Sequence, residues 1–144
     1  MRSPCLPLAV CALLSCHTAR HGAATNPTSA DLRLHDIWAL QTFDGLSLRT
    51  ENLQRGVPTL ELHVKDGRVM GFGGCNQFNG PAIFERDTIR FGALVATRMA
   101  CADVGGEVEY TLFEMLKGAV GYRLDGLKLT LAGKGGVAVF KKVD

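Results

Sequence analysis

Apolar and polar residues alternate along 59–65, and this period of two predicts a β-strand with one buried face. The next two residues, Asp66 and Gly67, form a dipeptide that favours a tight hairpin turn. A second strand is predicted directly after it, over 68–72. Together these segments predict a β-hairpin.

Other short runs of apolar and β-branched residues predict five further strands. The first contains Trp38, which we expect to be a core residue, and it ends at an Asp44-Gly45 turn. Arg86-Asp87 and the glycine-rich stretch 133–136 mark the turns of two later hairpins. The five strands are predicted at 36–43, 82–85, 88–91, 127–131 and 137–140.

One segment has a helical period instead. Between residues 107 and 117 the apolar residues recur at i, i+4, i+7 and i+8, and Gly118 is a suitable stop after the last of them. The four apolar positions are Val108, Leu112, Met115 and Leu116. Tyr110 and Phe113, on the same helix, are expected to serve packing rather than to bind a ligand.

Strands that follow one another with a single late helix predict a mostly β, α+β domain. We expect a small antiparallel β-barrel-like fold with one helix packed against it, because closure removes exposed sheet edges. The chain has 144 residues and 17 glycines, which suits one domain with many turns. Its formal net charge of +2 is too small to indicate a nucleic-acid partner.

The N-terminus has the pattern of an export signal. Arg2 precedes an apolar stretch at 5–14 that spans only about ten residues, whereas a membrane-spanning helix needs roughly twenty. The run Leu13-Leu14-Ser15-Cys16 resembles a bacterial lipobox, in which the cysteine is acylated and becomes the new N-terminus. This predicts a signal peptide at 1–15 and lipidation at Cys16.

The next segment, rich in Ala, Thr, Ser, Asn, Gly and Pro, lacks apolar periodicity and is typical of a flexible tether. We assign 16–33 to a lipid-anchored tether and 34–144 to the domain. The membrane is thus a predicted partner, through the lipid, and His17 after the cysteine points to the outer membrane under the common sorting rule. Cleavage of an ordinary signal near Ala23-Ala24, or a buried N-terminal helix, are the alternatives.

Two cysteines would remain after export and lipidation, Cys75 and Cys101. An even number of cysteines in an oxidising compartment predicts a disulfide, which would contribute roughly 3 to 4 kcal/mol to stability. Two buried thiols or a reactive nucleophile are the alternatives. Neither cysteine has a neighbour at metal-ligand spacing, so no metal site is predicted.

The run from Gly73 to Gly80, with sequence Gly-Gly-Cys-Asn-Gln-Phe-Asn-Gly, is the most distinctive in the chain. Its glycines permit unusual backbone angles, and Asn79-Gly80 before Pro81 favours a tight turn. A phosphate-binding loop is not indicated, because no Lys-Ser/Thr pair or helix start follows.

The ordered set of these features resembles the META domain family, also called the HslJ-like lipoproteins. The resemblance covers about residues 35 to 142. It rests on Trp38 with the Asp44-Gly45 turn, the run 73–80, the run 96–101, and the helix with Glu107 followed by the strand 127–131. The family implies a small β-barrel-like fold with a helix against it, a place in the bacterial envelope, and links to heat-shock or antibiotic stress.

No catalytic residue set or cofactor comes with the family. The residues of its motifs are therefore interpreted as structural: Trp38, Gly73, Gly74, Asn76, Phe78, Gly80 and Arg98. Arg98 could pair with a buried carboxylate such as Glu107, remain a surface charge, or bind an anion.

Three functions compete at this point. The first is a non-catalytic envelope lipoprotein that binds an envelope protein or supports assembly under stress. The second is a lipocalin-like carrier with a small apolar ligand in the barrel interior or beneath the helix. The third is an enzyme that uses Cys75 or His63. The sequence favours the first.

Overall fold

The computed structural model describes residues 30–144. The predicted signal peptide, Cys16 and most of the predicted tether lie outside these residues. The elements are two short 3-10 helices, one α-helix and ten strands. The 3-10 helices are Leu32–Leu34 and Thr50–Asn52, and the α-helix, α1, is Val104–Met115. The strands are β1 Ile37–Phe43, β2 Leu46–Ser47, β3 Thr59–His63, β4 Arg68–Phe72, β5 Gln77–Phe84, β6 Thr88–Phe91, β7 Val95–Ala96, β8 Gly118–Asp125, β9 Lys128–Gly133 and β10 Gly136–Lys142.

Eight antiparallel strands form a closed barrel. The order runs β10-β9-β8-β6-β5-β4-β3-β1, and β1 pairs with β10 to complete the ring. A bulge between Leu40 and Thr42 interrupts the register of the closing pair. The short strands β2 and β7 lie outside the ring, on β1 and β5. The predicted mostly β fold, with a barrel and one helix, is confirmed.

The barrel interior is filled by apolar side chains. Trp38 and Phe140 are the largest of them, and both are almost completely buried. Alternate residues of β3 and β9, such as Leu60, Leu62 and Leu129, point into the same core, as the period of two in the sequence predicted. The barrel interior, one of the two ligand sites that the carrier hypothesis allows, is therefore occupied by the protein's own side chains.

The helix α1 covers one end of the barrel. Leu112 and Met115 of its inner face are fully buried, and the backbone of Met115 lies against the β9–β10 turn at Gly133 and Gly135. Phe113 packs edge-on against Phe78, with 5.1 Å between the ring centroids. The helix begins three residues before the predicted start, after Asp103, which has an extended backbone and forms no side-chain capping hydrogen bond.

The opposite end of the barrel is closed by the segment that leads into β1. Leu34 is fully buried, and the Trp38 indole N–H donates a hydrogen bond to the Leu34 carbonyl at 3.0 Å. The Asp31 side chain accepts from the Arg33 backbone N–H and caps the first 3-10 helix. The chain therefore enters the barrel at the end that lies away from α1.

Two predictions about local structure are wrong, and one strand of the ring was not predicted. Asn79 and Gly80 do not form a turn but lie in the middle of β5, where Gly80 pairs with Val69. Glycine is needed there because a Cβ atom would lie 2.8 Å from the Ala93 carbonyl oxygen. The strand β8 was not predicted, and Tyr110 does not pack in the core but is 69% exposed.

Candidate functional site

The run 73–80 connects β4 to β5 and lies against α1. A Cβ atom at Gly73 would be 2.6 Å from the Glu109 Oε2 atom, so no larger residue fits without displacement. Gly74 has a φ of +119°, and its position would place a Cβ atom 2.7 Å from the Gly105 carbonyl oxygen. The two glycines thus allow the connection to approach the helix closely.

Glu109 is the buried acceptor that holds this connection to α1. Its Oε2 atom accepts hydrogen bonds from the backbone N–H groups of Cys75 and Asn76, at 3.1 and 2.5 Å. Its Oε1 atom accepts from the Asn76 side-chain amide at 2.7 Å. All three partners are donors, so both carboxylate oxygens are used.

Asn76 extends the network to the segment before α1. Its Oδ1 atom accepts hydrogen bonds from the Thr97 hydroxyl at 2.8 Å and from the Met99 backbone N–H at 2.7 Å. Its Nδ2 atom also donates to the Met99 carbonyl at 3.3 Å. We call Cys75, Asn76, Thr97, Met99 and Glu109, with Cys101, the clasp.

A disulfide completes the clasp. Cys75 and Cys101 are bonded, with 6.0 Å between their Cα atoms and a sequence separation of 26. The predicted disulfide is confirmed. With Cys75 in this bond and 3% exposed, its sulfur is not a free nucleophile. His63, the other residue of the enzyme hypothesis, lies instead beside Glu61, with 2.9 Å between Nε2 and Oε1.

Arg98 lies outside the clasp, although its two neighbours belong to it. It is exposed and forms no ion pair among residues 30–144. Glu107, the carboxylate that the sequence suggested as its partner, is also exposed. Arg98 therefore lies at the surface and does not pair with a buried carboxylate within residues 30–144. The buried carboxylate of the helix is Glu109, a residue that was not among those predicted from the sequence.

An open groove of about 690 Å³ lies between α1 and the β1–β2 hairpin. The hairpin turns through Asp44 and Gly45, which both have positive φ, and the Asp44 carboxylate accepts from the Val137 backbone N–H at 2.8 Å. The apolar side chains that line the groove are Phe43, Leu46, Leu48, Leu53, Val104 and Val108. Leu46 is 76% exposed, so it is available for contact from outside.

The polar residues of the groove lie on both of its sides. Arg49 follows the β2 strand, and Glu107 belongs to α1.

Across the part of the chain that the structure describes, no three or more His, Cys, Asp or Glu side chains form a group able to hold a metal ion. Within the same residues there is no helix with the length and hydropathy needed to span a membrane.

Comparisons with known proteins agree with this architecture. An NMR structure of a protein is similar with a TM-score of 0.63 and 25% sequence identity, over 76% of this chain and 90% of that one. An NMR structure of a protein from Burkholderia xenovorans is similar with a TM-score of 0.61 and 26% identity, over 88% of this chain and 97% of the other.

A search of curated proteins finds no match. The family model described as "META domain" matches residues 30–144, which include the whole barrel, the clasp and α1. The chain therefore belongs to the META domain family.

Proposed function

We propose that this protein is an exported, lipid-anchored envelope protein that acts as a non-catalytic binding module. The disulfide between Cys75 and Cys101 is the observation that supports export, because disulfides persist in compartments outside the reducing cytosol. The META family is not a known enzyme family, and its barrel fold is consistent with a binding module.

The sequence supports a lipid anchor at Cys16, and the fold indicates at which end of the barrel the tether would attach. The chain enters the barrel beside Leu34, at the end away from α1. A lipid attached at Cys16 would be followed by the short segment 17–29 before the described domain begins. The α1 end, with its groove, would therefore be the end of the domain farther from the point where the tether attaches.

The anchor is tested by metabolic labelling. Labelled palmitate should enter the wild-type protein and not Cys16→Ala, whereas the matched variant Cys11→Ala should be labelled like wild type. Equal labelling of wild type and Cys16→Ala would reject the anchor. Fractionation of the envelope tests the predicted sorting to the outer membrane, and recovery with the inner membrane would reject that part alone.

A further inference from the structure

We infer that the groove between α1 and the β1–β2 hairpin binds an extended segment of another polypeptide, which pairs with the outer edge of β2. This inference deepens the proposed binding function by naming the surface and the kind of partner. It rests on three properties of the groove: unpaired backbone groups, an exposed apolar side chain and two unpaired charges of opposite sign.

The register of the β1–β2 hairpin determines which backbone groups of β2 are unpaired. Phe43 pairs with Leu46, and Thr42 pairs with Ser47, around a two-residue turn. In such a hairpin the pair next to the turn exchanges both hydrogen bonds, and the following pair directs its N–H and C=O groups away from each other. The next hydrogen bond, from the Leu48 N–H to the Gln41 carbonyl at 3.0 Å, confirms this alternation of bonded and non-bonded pairs.

Ser47 is therefore the residue of β2 whose backbone groups face outward. The strand β2 is the last in its sheet order, and no hydrogen bond to the Ser47 backbone occurs within residues 30–144. Ser47 also lines the groove. An extended peptide laid there would gain a donor and an acceptor, which is how a strand is added to a sheet edge.

Exposed apolar side chains line the groove beside the outer edge of β2. Leu46 is 76% exposed and Val104, across the groove on α1, is 42% exposed. Side chains of an extended segment alternate between its two faces, so every second one would lie over these residues. A segment with small or branched apolar residues at alternate positions would cover Leu46 and Val104 while its other side chains remain in water.

The charges of the groove further define the partner. Arg49 and Glu107 are both exposed, and neither forms an ion pair within the described part of the chain. They stand on opposite sides of the groove. A segment with an acidic side chain near one end and a basic one near the other would complement both. A uniformly acidic ligand such as a nucleic acid would meet Asp44 and Glu107.

A defined probe tests this inference. The probe is the end-blocked hexapeptide Lys-Val-Thr-Val-Thr-Glu, together with its charge-reversed form Glu-Val-Thr-Val-Thr-Lys. Either is titrated into ¹⁵N-labelled protein that starts at residue 16 and has Cys16→Ser, so that lipid is absent. We expect amide shifts confined to 45–49 and 104–111. No shift with either peptide up to millimolar concentration would overturn the inference.

Two pairs of variants distinguish pairing with the edge of β2 from nonspecific binding. Ser47→Pro removes the outward N–H group and should weaken binding about threefold to tenfold, the effect of one net hydrogen bond, whereas Ser47→Ala should not change it. Leu46→Asp should weaken binding further, whereas Ile83→Asp, at a similarly exposed position on the barrel wall, should not. Binding that survives both Ser47→Pro and Leu46→Asp would contradict the inference.

A further control acts on the peptide, in case Ser47→Pro fails to fold. N-methylation of alternate peptide amides removes the donors that pair with β2 and should reduce binding to a similar degree. Equal binding of the methylated and unmethylated peptides would exclude strand addition. These measurements use unlipidated protein, so their outcome is independent of the palmitate labelling that tests the envelope anchor.

Discussion

Asn76 and Glu109 are joined at two points, because Glu109 Oε2 accepts from the Asn76 backbone N–H at 2.5 Å and Oε1 accepts from the Asn76 side-chain amide at 2.7 Å. Asn76 in turn accepts from Thr97 and Met99. A single carboxylate on α1 thus fixes both the β4–β5 connection and the segment before the helix. Buried polar groups in such a network are satisfied only when all members are present.

Glu109→Gln should lower the free energy of unfolding by about 2 to 3 kcal/mol. All three groups that reach Glu109 are donors, so the amide nitrogen of glutamine would face at least one N–H group and leave it unsatisfied. Chemical denaturation of oxidised protein measures the change. Glu107→Gln is the matched control, since Glu107 lies two residues earlier and is exposed, and it should stay within about 0.5 kcal/mol of wild type. Equal effects of the two variants would show that the clasp does not stabilise the fold.

Replacement of both Cys75 and Cys101 by alanine should lower the free energy of unfolding by about 2 to 5 kcal/mol, because the disulfide closes a 26-position loop in the unfolded chain. Wild-type protein under reducing conditions should show a similar loss. Intact-mass analysis of non-reduced protein treated with an alkylating agent checks the bond directly. Labelling of both cysteines in that sample would contradict the disulfide.

Gly118→Val should be destabilising by about 1 to 3 kcal/mol. Gly118 has a φ of +86°, which a β-branched residue adopts only with strain, although nothing lies within 4 Å of the position of its Cβ atom. The strain is therefore in the backbone rather than in packing. Gly118→Asn should lose less, since asparagine tolerates this region better. Equal melting temperatures for wild type and Gly118→Val would reject this explanation.

The ion pair between Asp36 and Lys142 should make a small, pH-dependent contribution to the free energy of unfolding. Their carboxylate and ammonium are 2.5 Å apart, and the hydrogen bond from Lys142 holds the pKa of Asp36 below its usual value of 3.8. A lowered pKa in the folded state means that the contribution is present above about pH 4 and is lost as the pH falls through the folded pKa. Because both side chains are partly exposed, it should be below about 1 kcal/mol.

A double-mutant cycle with Asp36→Asn and Lys142→Met measures this pair. Thermal unfolding at pH 7 should show coupling between the two substitutions, and the coupling should weaken as the pH is lowered below about 4. Coupling that remained undiminished in acid would show that the charge of Asp36 is not its source.

The sequence predicted those strands and the helix in which the spacing of apolar residues within the segment itself reveals the buried face. In β3 each second residue is buried, so the period of two is visible in 59–65. The strand β8 has no such pattern: Val120 is its one fully buried residue, and Gly118 and Gly121 interrupt it. Its place is determined by pairing with β6 and β9, which is information that the segment itself does not contain.

The candidate site was only partly visible in the sequence. Cys75, Asn76 and the two glycines lay in a distinctive run, but their purpose depends on Glu109, more than thirty residues later. A signal for Glu109 existed, since a charged residue three positions before Leu112 lies on the apolar face of the helix. The groove could not be predicted, because it forms between a hairpin and a helix that are distant in the chain.

The pairing of β1 with β10 makes the barrel depend on the strand of the domain that is synthesised last. Val143 donates a hydrogen bond to Ile37 at 2.9 Å, so the two ends of the domain meet in the finished ring. Contacts between such distant positions form slowly, because the entropy of the intervening chain must be lost first. Until β10 leaves the ribosome, the ring has no partner for the free edges of β1 and β9. For the exported protein proposed above, this order of synthesis delays completion of the fold until the last strand of the domain has been made, which suits transport as an extended polypeptide.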